Sequence, residues 1–545
     1  MPSINRLRLP AIPLLIFILA VTARLAPGPR TIDDAYITYR YARNILAGNG
    51  FVYNPGERVL GTTTPLYTVL LTGLGSLTGG VQAPFPSLSL VLNALLDGLT
   101  CLLLIRLGRD LGSPWAGSGA AIVWAIAPFS VTFAIGGLET SLYVFLILSA
   151  AWCHLGKSHV LAALLAALSL LTRPDALILL GPLMLDRWLQ VWPVLKTRQF
   201  SSAGFRKQIQ PAPDRLSIAE LAAFALPVLL WIIFASQYFG SPLPHSIAAK
   251  SLAYHLPREA ALVRLLQHYA TPFLGHLTFG LSWIKVGIVL YPFLYLVGAR
   301  RLLRNNVHTW PFLLFPWLYL IIFAAANPLI FRWYLTPPLP FYIFGILCGV
   351  ETLLDSVFNR RPESRRGEIA HPAPPAVSNV IFILLVILLP SLLSARDWQW
   401  SPTHGLKRPA PGMAWYQLEL LYQQAADWIN SHRTMSKSEF LLAAGDVGVL
   451  GYTTGLKILD TVGLNSPIST HYYPLDPNLY AINYAIPPDL IIDQKPDMIV
   501  ILEVYGRLSL LKDERFQSQY RLVHKISTDV YGSEGMLIFE QLSSP

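Results

Sequence analysis

The chain has 545 residues, 53% of them hydrophobic and only 13% charged, which is too apolar and too long for one soluble domain and marks a polytopic membrane protein. Its formal net charge of +10 comes from short basic runs between hydrophobic segments, the positive-inside pattern, and this argues against a nucleic-acid partner. Cys101, Cys153 and Cys348 lie in or beside hydrophobic segments and the 12 histidines show no ligand spacing, so neither a disulfide framework nor a thiolate or His-rich metal site is expected.

Arg6 and Arg8 precede an apolar run without a small-x-small cleavage site before Asp33, which reads as an uncleaved first span. Apolar windows follow at 83–106, 114–134, 140–156, 158–172, 174–192, 218–239, 276–298, 309–327, 334–354 and 378–394, about eleven transmembrane helices with the first. The windows at 158–172 and 174–192 are short and split by Thr172-Arg173-Pro174-Asp175, so a broken or re-entrant pair is the alternative there. With the N-terminus cytoplasmic, alternation keeps Arg106, Arg109, Lys157, the 187–215 run, Arg300, Arg301, Arg304 and the 360–366 run inside. It exports the loop 27–82, the Gly136–Thr140 corner, the Thr172–Asp175 corner, the loop from Gly240 to about 275, the Arg332-Trp333-Tyr334 corner and everything after Ser394. Spans uncharged at their centres and no internal repeat are expected, which argues against a transporter.

In the first exported loop a helix should begin near Asp34, N-capped by Thr31 or Asp33, and stop at Gly48-Asn49-Gly50. One face carries Tyr36, Arg40 and Arg43, the other Ile37, Tyr41 and Ile45. Asn54-Pro55-Gly56 makes a type II turn, and Thr62-Thr63-Thr64 leads into an interfacial helix over 65–78. Residues 1–395 thus form a membrane domain, and 396–545, richer in charge, an extracytoplasmic soluble α/β domain. A helix is expected over Met413–Ser431, and strands over Phe440–Ala444, Leu456–Leu459, Met498–Leu502, Tyr520–Ile526 and Met536–Phe539. The run Gly445-Asp446-Val447-Gly448-Val449-Leu450-Gly451 lacks the dinucleotide spacing; strand ends and turns account for its glycines.

The adjacent carboxylates Asp33 and Asp34 stand where the chain leaves lipid. One acid suffices to cap a helix, and the flanking Tyr, Arg, Asn and Thr are residue types that hold sugar hydroxyls and phosphates. The run Asp33-Asp34-Ala35-Tyr36-Ile37-Thr38-Tyr39-Arg40-Tyr41, with Gly50-Phe51-Val52-Tyr53-Asn54-Pro55-Gly56-Glu57-Arg58-Val59 and Thr64-Pro65-Leu66, resembles the first exported loop of GT-C glycosyltransferases. It looks most like the mycobacterial-type terminal β-1,2-arabinofuranosyltransferases, and the corners Gly137–Thr140 and Thr172–Asp175 share the likeness. The resemblance covers roughly the first 180 residues well and the remainder only in architecture. It implies a multispanning enzyme of a bacterial plasma membrane that takes a sugar from a polyprenyl-phosphate lipid and inverts the anomeric centre, with a cell-envelope glycan as acceptor.

Such a reaction needs a base for the acceptor hydroxyl and a cation for the departing phosphate. Asp33 is the expected base and Asp34 its orienter or a divalent-cation ligand; the family pattern does not decide which acid does which job. Tyr36, Arg40, Asn54, Glu57 and Thr64 are expected to bind substrate. Glu139 either positions base or acceptor or caps the next span, and Arg173 with Asp175 is either a structural pair or a substrate contact. His245, Lys250 and Arg332 are candidate phosphate contacts or snorkelling cations. The alternatives are a GT-C transferase moving a hexose or mannose to lipid or protein, and a polyprenyl-lipid flippase without chemistry. Trp398, Trp400, Tyr472 and Tyr473 are candidates to stack on acceptor sugars.

Overall fold

A computed structural model of the chain describes residues 11–197, 215–358, 376–401, 405–433 and 440–542. Arg6, Arg8, then Arg198, Arg206 and Lys207 of the basic 187–215 run, and the 360–366 run lie outside the described residues.

Each of the eleven apolar windows contains helix. Among the described residues, five helices are long and apolar enough to cross a membrane: Phe85–Asp110, Ile218–Phe239, Trp283–Asn305, Val307–Ala326 and Arg332–Phe358. Pro114–Ile126 and Pro128–Ile135, bent by 46° at their junction, bring the number to six if they form one span. Thr140–Leu155 and His159–Leu170 have only 16 and 12 residues, fewer than the roughly 20 that cross the hydrocarbon, so helix length does not establish eleven spans. The break at Thr172–Asp175 is real: Pro174–Ala176 forms a 3₁₀ turn before Leu177–Thr197 begins.

The expectation of uncharged span centres fails at Asp97, midway along Phe85–Asp110. Its carboxylate accepts from Arg24 Nε at 2.8 Å, Trp124 Nε1 at 3.1 Å and Ser141 Oγ at 3.0 Å. Both charges are fully buried, a pair kept tolerable by these added hydrogen bonds, and it ties the first helix to the next ones.

The first loop forms the helix Asp33–Leu46, but Ile32 is its N-cap residue and no side chain caps it. The turn behaves as expected, with Glu57 N donating to the Asn54 carbonyl at 3.1 Å and Gly56 at φ +86°. Pro65–Thr78 is helical and leaves Val69, Leu70 and Leu77 exposed.

After the membrane helices, Gln417–His432 buries Leu418, Leu421, Tyr422, Ala425 and Ile429 on one face, the i, i+3, i+4 spacing of an amphipathic helix; it begins four residues later than expected. All five expected strands are present in one sheet, in the order Lys457–Asp460, Leu441–Ala444, Met498–Leu502, Met536–Gln541, Tyr520–Ile526. The first three are mutually parallel, and the last two pair antiparallel with their neighbours. The carboxyl ends of the parallel strands carry Asp446 and Asp460 towards the first loop.

Candidate active site

The helix Asp33–Leu46 lies between the C-terminal domain and a cavity. Neighbouring helical residues point about 100° apart, so Asp33 and Asp34 cannot face the same way. Asp33 is buried, and its two carboxylate oxygens accept from the amides of Gly448 and Val449, each at 2.8 Å. It thereby caps the helix Gly448–Thr454 of the other domain rather than its own. Burial and nearby Asp446 push its pKa well above the usual carboxylate range, against the two amides that pull it down. Asp34, one residue on, lines a cavity of about 630 Å³ and meets Lys250 Nζ at 3.5 Å.

That cavity gathers several of the residues singled out in the sequence: Asp34, Thr64, Glu139, Arg173, Asp175 and Lys250. Arg173 donates to both oxygens of Asp175, at 3.0 and 2.9 Å, and to Glu139 Oε1 at 3.3 Å. Tyr319 adds a hydroxyl donor to Asp175 at 3.1 Å. The Arg173–Asp175 pair is therefore structural and also part of the wall, and its positive charge is already answered. Burial pushes the Glu139 carboxyl up while Arg173 holds it down, with a net rise. Lys250 remains a cation: burial lowers its pKa, but Asp34 and its other neighbours more than compensate. Both ion pairs, Arg173–Glu139 at 3.3 Å and Lys250–Asp34 at 3.5 Å, line this one cavity.

The other candidates lie elsewhere. Tyr36 packs on Tyr452, with ring centroids 5.2 Å apart. Arg40 is buried and donates to the carbonyls of Tyr53 and Leu456 and to Asn54 Oδ1. Asn54 pairs through its amide with both backbone groups of Ile458, and Glu57 meets Lys457 Nζ at 2.7 Å. These four residues dock the C-terminal domain instead of lining the cavity. Gly448 and Gly451 belong to the same joint: a Cβ on Gly448 would collide with Asp33, and one on Gly451 with Tyr53 and Arg40, so close approach explains those two glycines rather than turn geometry. His245 is off the cavity wall, and Arg332 donates to the Met413 carbonyl at 3.2 Å in a separate cavity.

The wall also holds residues that the sequence reading did not select, among them Ser246, Tyr254 and Asn327. Ser246 was findable: it lies four residues before Lys250 on the helix His245–Ala253, hence on the same face. Tyr254, Phe331, Trp333 and Tyr334 form an aromatic side, and Thr38, Thr62 and Thr64 a hydroxyl side linked at 3.5 and 3.1 Å. Phe323, Ala326 and Leu329 supply apolar lining, and no residue of the interfacial helix over 66–77 lines the cavity.

Asp34, the acid expected as orienter or divalent-cation ligand, could not share a cation with Asp33. The oxygens of Asp33 are both engaged by amides, and no group of three His, Cys, Asp or Glu with ligand geometry occurs among the described residues. Of the aromatics considered for acceptor stacking, Trp398 donates to the Ile126 carbonyl, Tyr472 to Asp493, and Tyr473 is buried against the carbonyls of Thr461 and Ala485. Trp400 is exposed.

Comparison with solved structures places this architecture. The oligosaccharyltransferase AglB of Archaeoglobus fulgidus, solved with an inhibitory peptide and dolichol-phosphate, superposes with a TM-score of 0.54 at 12% identity over 93% of this chain and 72% of that one. ArnT from Cupriavidus metallidurans, solved with undecaprenyl phosphate, gives 0.50 at 12% identity over 100% and 99%. The chain has the GT-C membrane fold. In sequence, the terminal β-(1→2)-arabinofuranosyltransferase of Mycobacterium tuberculosis is 31% identical over 232 residues, 41% of this chain and 35% of that protein. The match thus spans about a third of the length of that curated relative. Residues 413–539 match a family described as a Domain of unknown function (DUF8728).

Proposed function

We propose that the chain is an inverting membrane glycosyltransferase that moves a sugar, arabinofuranose in the first instance, from a polyprenyl-phosphate donor to a hydroxyl of a cell-envelope glycan. In this reading there are eleven spans in a bacterial plasma membrane, the N-terminus is cytoplasmic, and the cavity and the domain 396–545 are extracytoplasmic. The observation that carries the proposal is the cavity-facing Asp34 beside Lys250, in a wall that also offers hydroxyls and aromatic rings. The sequence likeness to the arabinofuranosyltransferase supports the choice of sugar.

Asp34, rather than Asp33, takes the proton of the acceptor hydroxyl. The freed oxygen attacks the anomeric carbon from the face opposite the phosphate, the bond from that carbon to the phosphate oxygen breaks, and the lipid phosphate leaves with the electron pair. Lys250 is the cation placed to meet that phosphate, because Arg173 is committed to Asp175 and Glu139. Arg173, itself fixed by Asp175, holds Glu139 in place, and Thr38, Thr62 and Thr64 present hydroxyls to the sugar. No step passes through a metal ion.

The test is incubation of purified protein with radiolabelled polyprenyl-phosphate sugars and glycan acceptors. A new glycosidic product in the parent protein, and its loss in Asp34→Asn, is the expected result. Transfer of a hexose in place of arabinose corrects the sugar alone. Movement of the lipid between leaflets with no new glycosidic bond sinks the transferase in favour of a flippase.

A further inference from the structure

A second cavity, of about 650 Å³, adjoins the first and shares one wall with it. Along the short turn Arg332–Leu335, Trp333 and Tyr334 line the first cavity while Arg332 and Leu335 line the second. The two differ in charge. In the first, Arg173 and Lys250 face Asp34, Glu139 and Asp175. The second holds Arg264 and Arg332 against one carboxylate, Asp397, one oxygen of which accepts from the Met413 amide at 3.2 Å.

Neither Arg264 nor Arg332 makes an ion pair among the described residues, and Arg332 spends one nitrogen on the Met413 carbonyl. Burial lowers the Arg264 pKa, and Arg332 is near enough to lower it further. Asp397 feels the charge of Arg332 without pairing with it, so two like charges share this cavity with a single carboxylate, and a further anion between them is favoured. His268, only 3% exposed, lines the same space, and its ring nitrogens make no complete hydrogen bond, with only a weak approach to the Leu335 carbonyl. A buried imidazole without a partner is costly in an empty site and useful in a filled one. The rim is of opposite character: Leu277 and Leu281 are exposed, Leu281 at 76%, where the span Trp283–Asn305 is about to begin.

We propose that this second cavity binds a phosphate-bearing amphiphile, its phosphate between Arg264 and Arg332 within reach of His268 and its apolar chain lying across Leu277 and Leu281. A pair of solvent-accessible cations beside an apolar lip complements such a molecule, and the site stands independently of the reaction assigned to the first cavity.

The probe is a fluorescent phosphatidic acid titrated into the full chain in a neutral detergent. Saturable binding is expected, weakened about tenfold or more in Arg264→Gln/Arg332→Gln, since two charge-assisted hydrogen bonds are lost, and severalfold in Leu281→Glu. Both arginines and Leu281 are exposed, so these variants keep the fold. Undiminished binding in the double arginine variant overturns the proposal, as does loss in Lys250→Met, which would put the probe in the first cavity. Competition by glycerol phosphate or inorganic phosphate as effective as that by the unlabelled lipid overturns the amphiphile and leaves a simple phosphate site.

Discussion

The two faces of the helix Asp33–Leu46 do different work although the residues alternate along one short stretch. One face, carrying Asp34, Ile37 and Thr38, lines the cavity. The other, carrying Asp33, Tyr36, Arg40 and Arg43, holds the C-terminal domain through the amides of Gly448 and Val449, the Tyr452 ring, and the carbonyls of Leu456 and Tyr452. The lesson is that a dense polar signature need not be one site. Most of its conspicuous residues fix the position of the one carboxylate of the Asp33-Asp34 pair that faces the cavity.

The comparison is most easily broken at its chemical end. Asp34→Asn should lower transferase turnover by about 10²–10⁴-fold, the usual worth of a positioned base, with the thermal midpoint nearly unchanged. A larger loss in Asp33→Asn at parental stability would reverse the two roles. Asp33→Ala should act on stability first: two buried amides lose their acceptor, at about 2–4 kcal/mol in all. Hydrogen exchange at Gly448 and Val449 should accelerate accordingly, and unaltered protection there would sink the cap.

Glu419, buried against the same joint, sharpens the picture through pH. Burial, aided by Asp446 and Asp34, raises its pKa from 4.5 to about 7. The folded state therefore holds the proton more tightly than the unfolded chain. Its contribution to stability is full below about pH 4.5 and is lost as the pH rises to about 7. Glu419→Gln should remove that slope and gain on the order of 2–3 kcal/mol over the parent at pH 8, read from denaturant midpoints across pH 4 to 8. The smallest effect belongs to Lys457→Ala. Its pair with Glu57 is short at 2.7 Å but partly exposed on both sides, so at most about 1 kcal/mol should be lost.

Local signals were legible in the sequence where the chain decides them locally. The five strands announced themselves as short runs rich in Ile, Leu, Val and Tyr, and the Asn54–Glu57 turn by Pro and Gly at fixed offsets. Helical phase would have preferred Ser246 over His245 as a companion of Lys250. Which of two adjacent acids faces the cavity depended on a partner more than 400 positions away, which no local pattern contains. Asp97 was missed because apolar neighbours on the same helix masked it, while its partner Arg24 belongs to a different helix. Arg40 and Asn54 looked like ligand-binding groups because buried backbone carbonyls of another domain demand the same donors as a sugar does.

The cap supplied by Asp33 spans 415 positions of sequence. At a synthesis rate of about 5–20 residues per second, the first loop exists for about 20–80 s before Gly448 and Val449 are made. Throughout that interval Arg40, Asn54 and Asp33 have no domain to hold, and the helix that carries Asp34 lacks one of its supports. Maturation of the cavity is therefore a late event in the life of the nascent chain, gated by its C-terminal quarter, and an early truncation product lacks a support of the helix that carries Asp34.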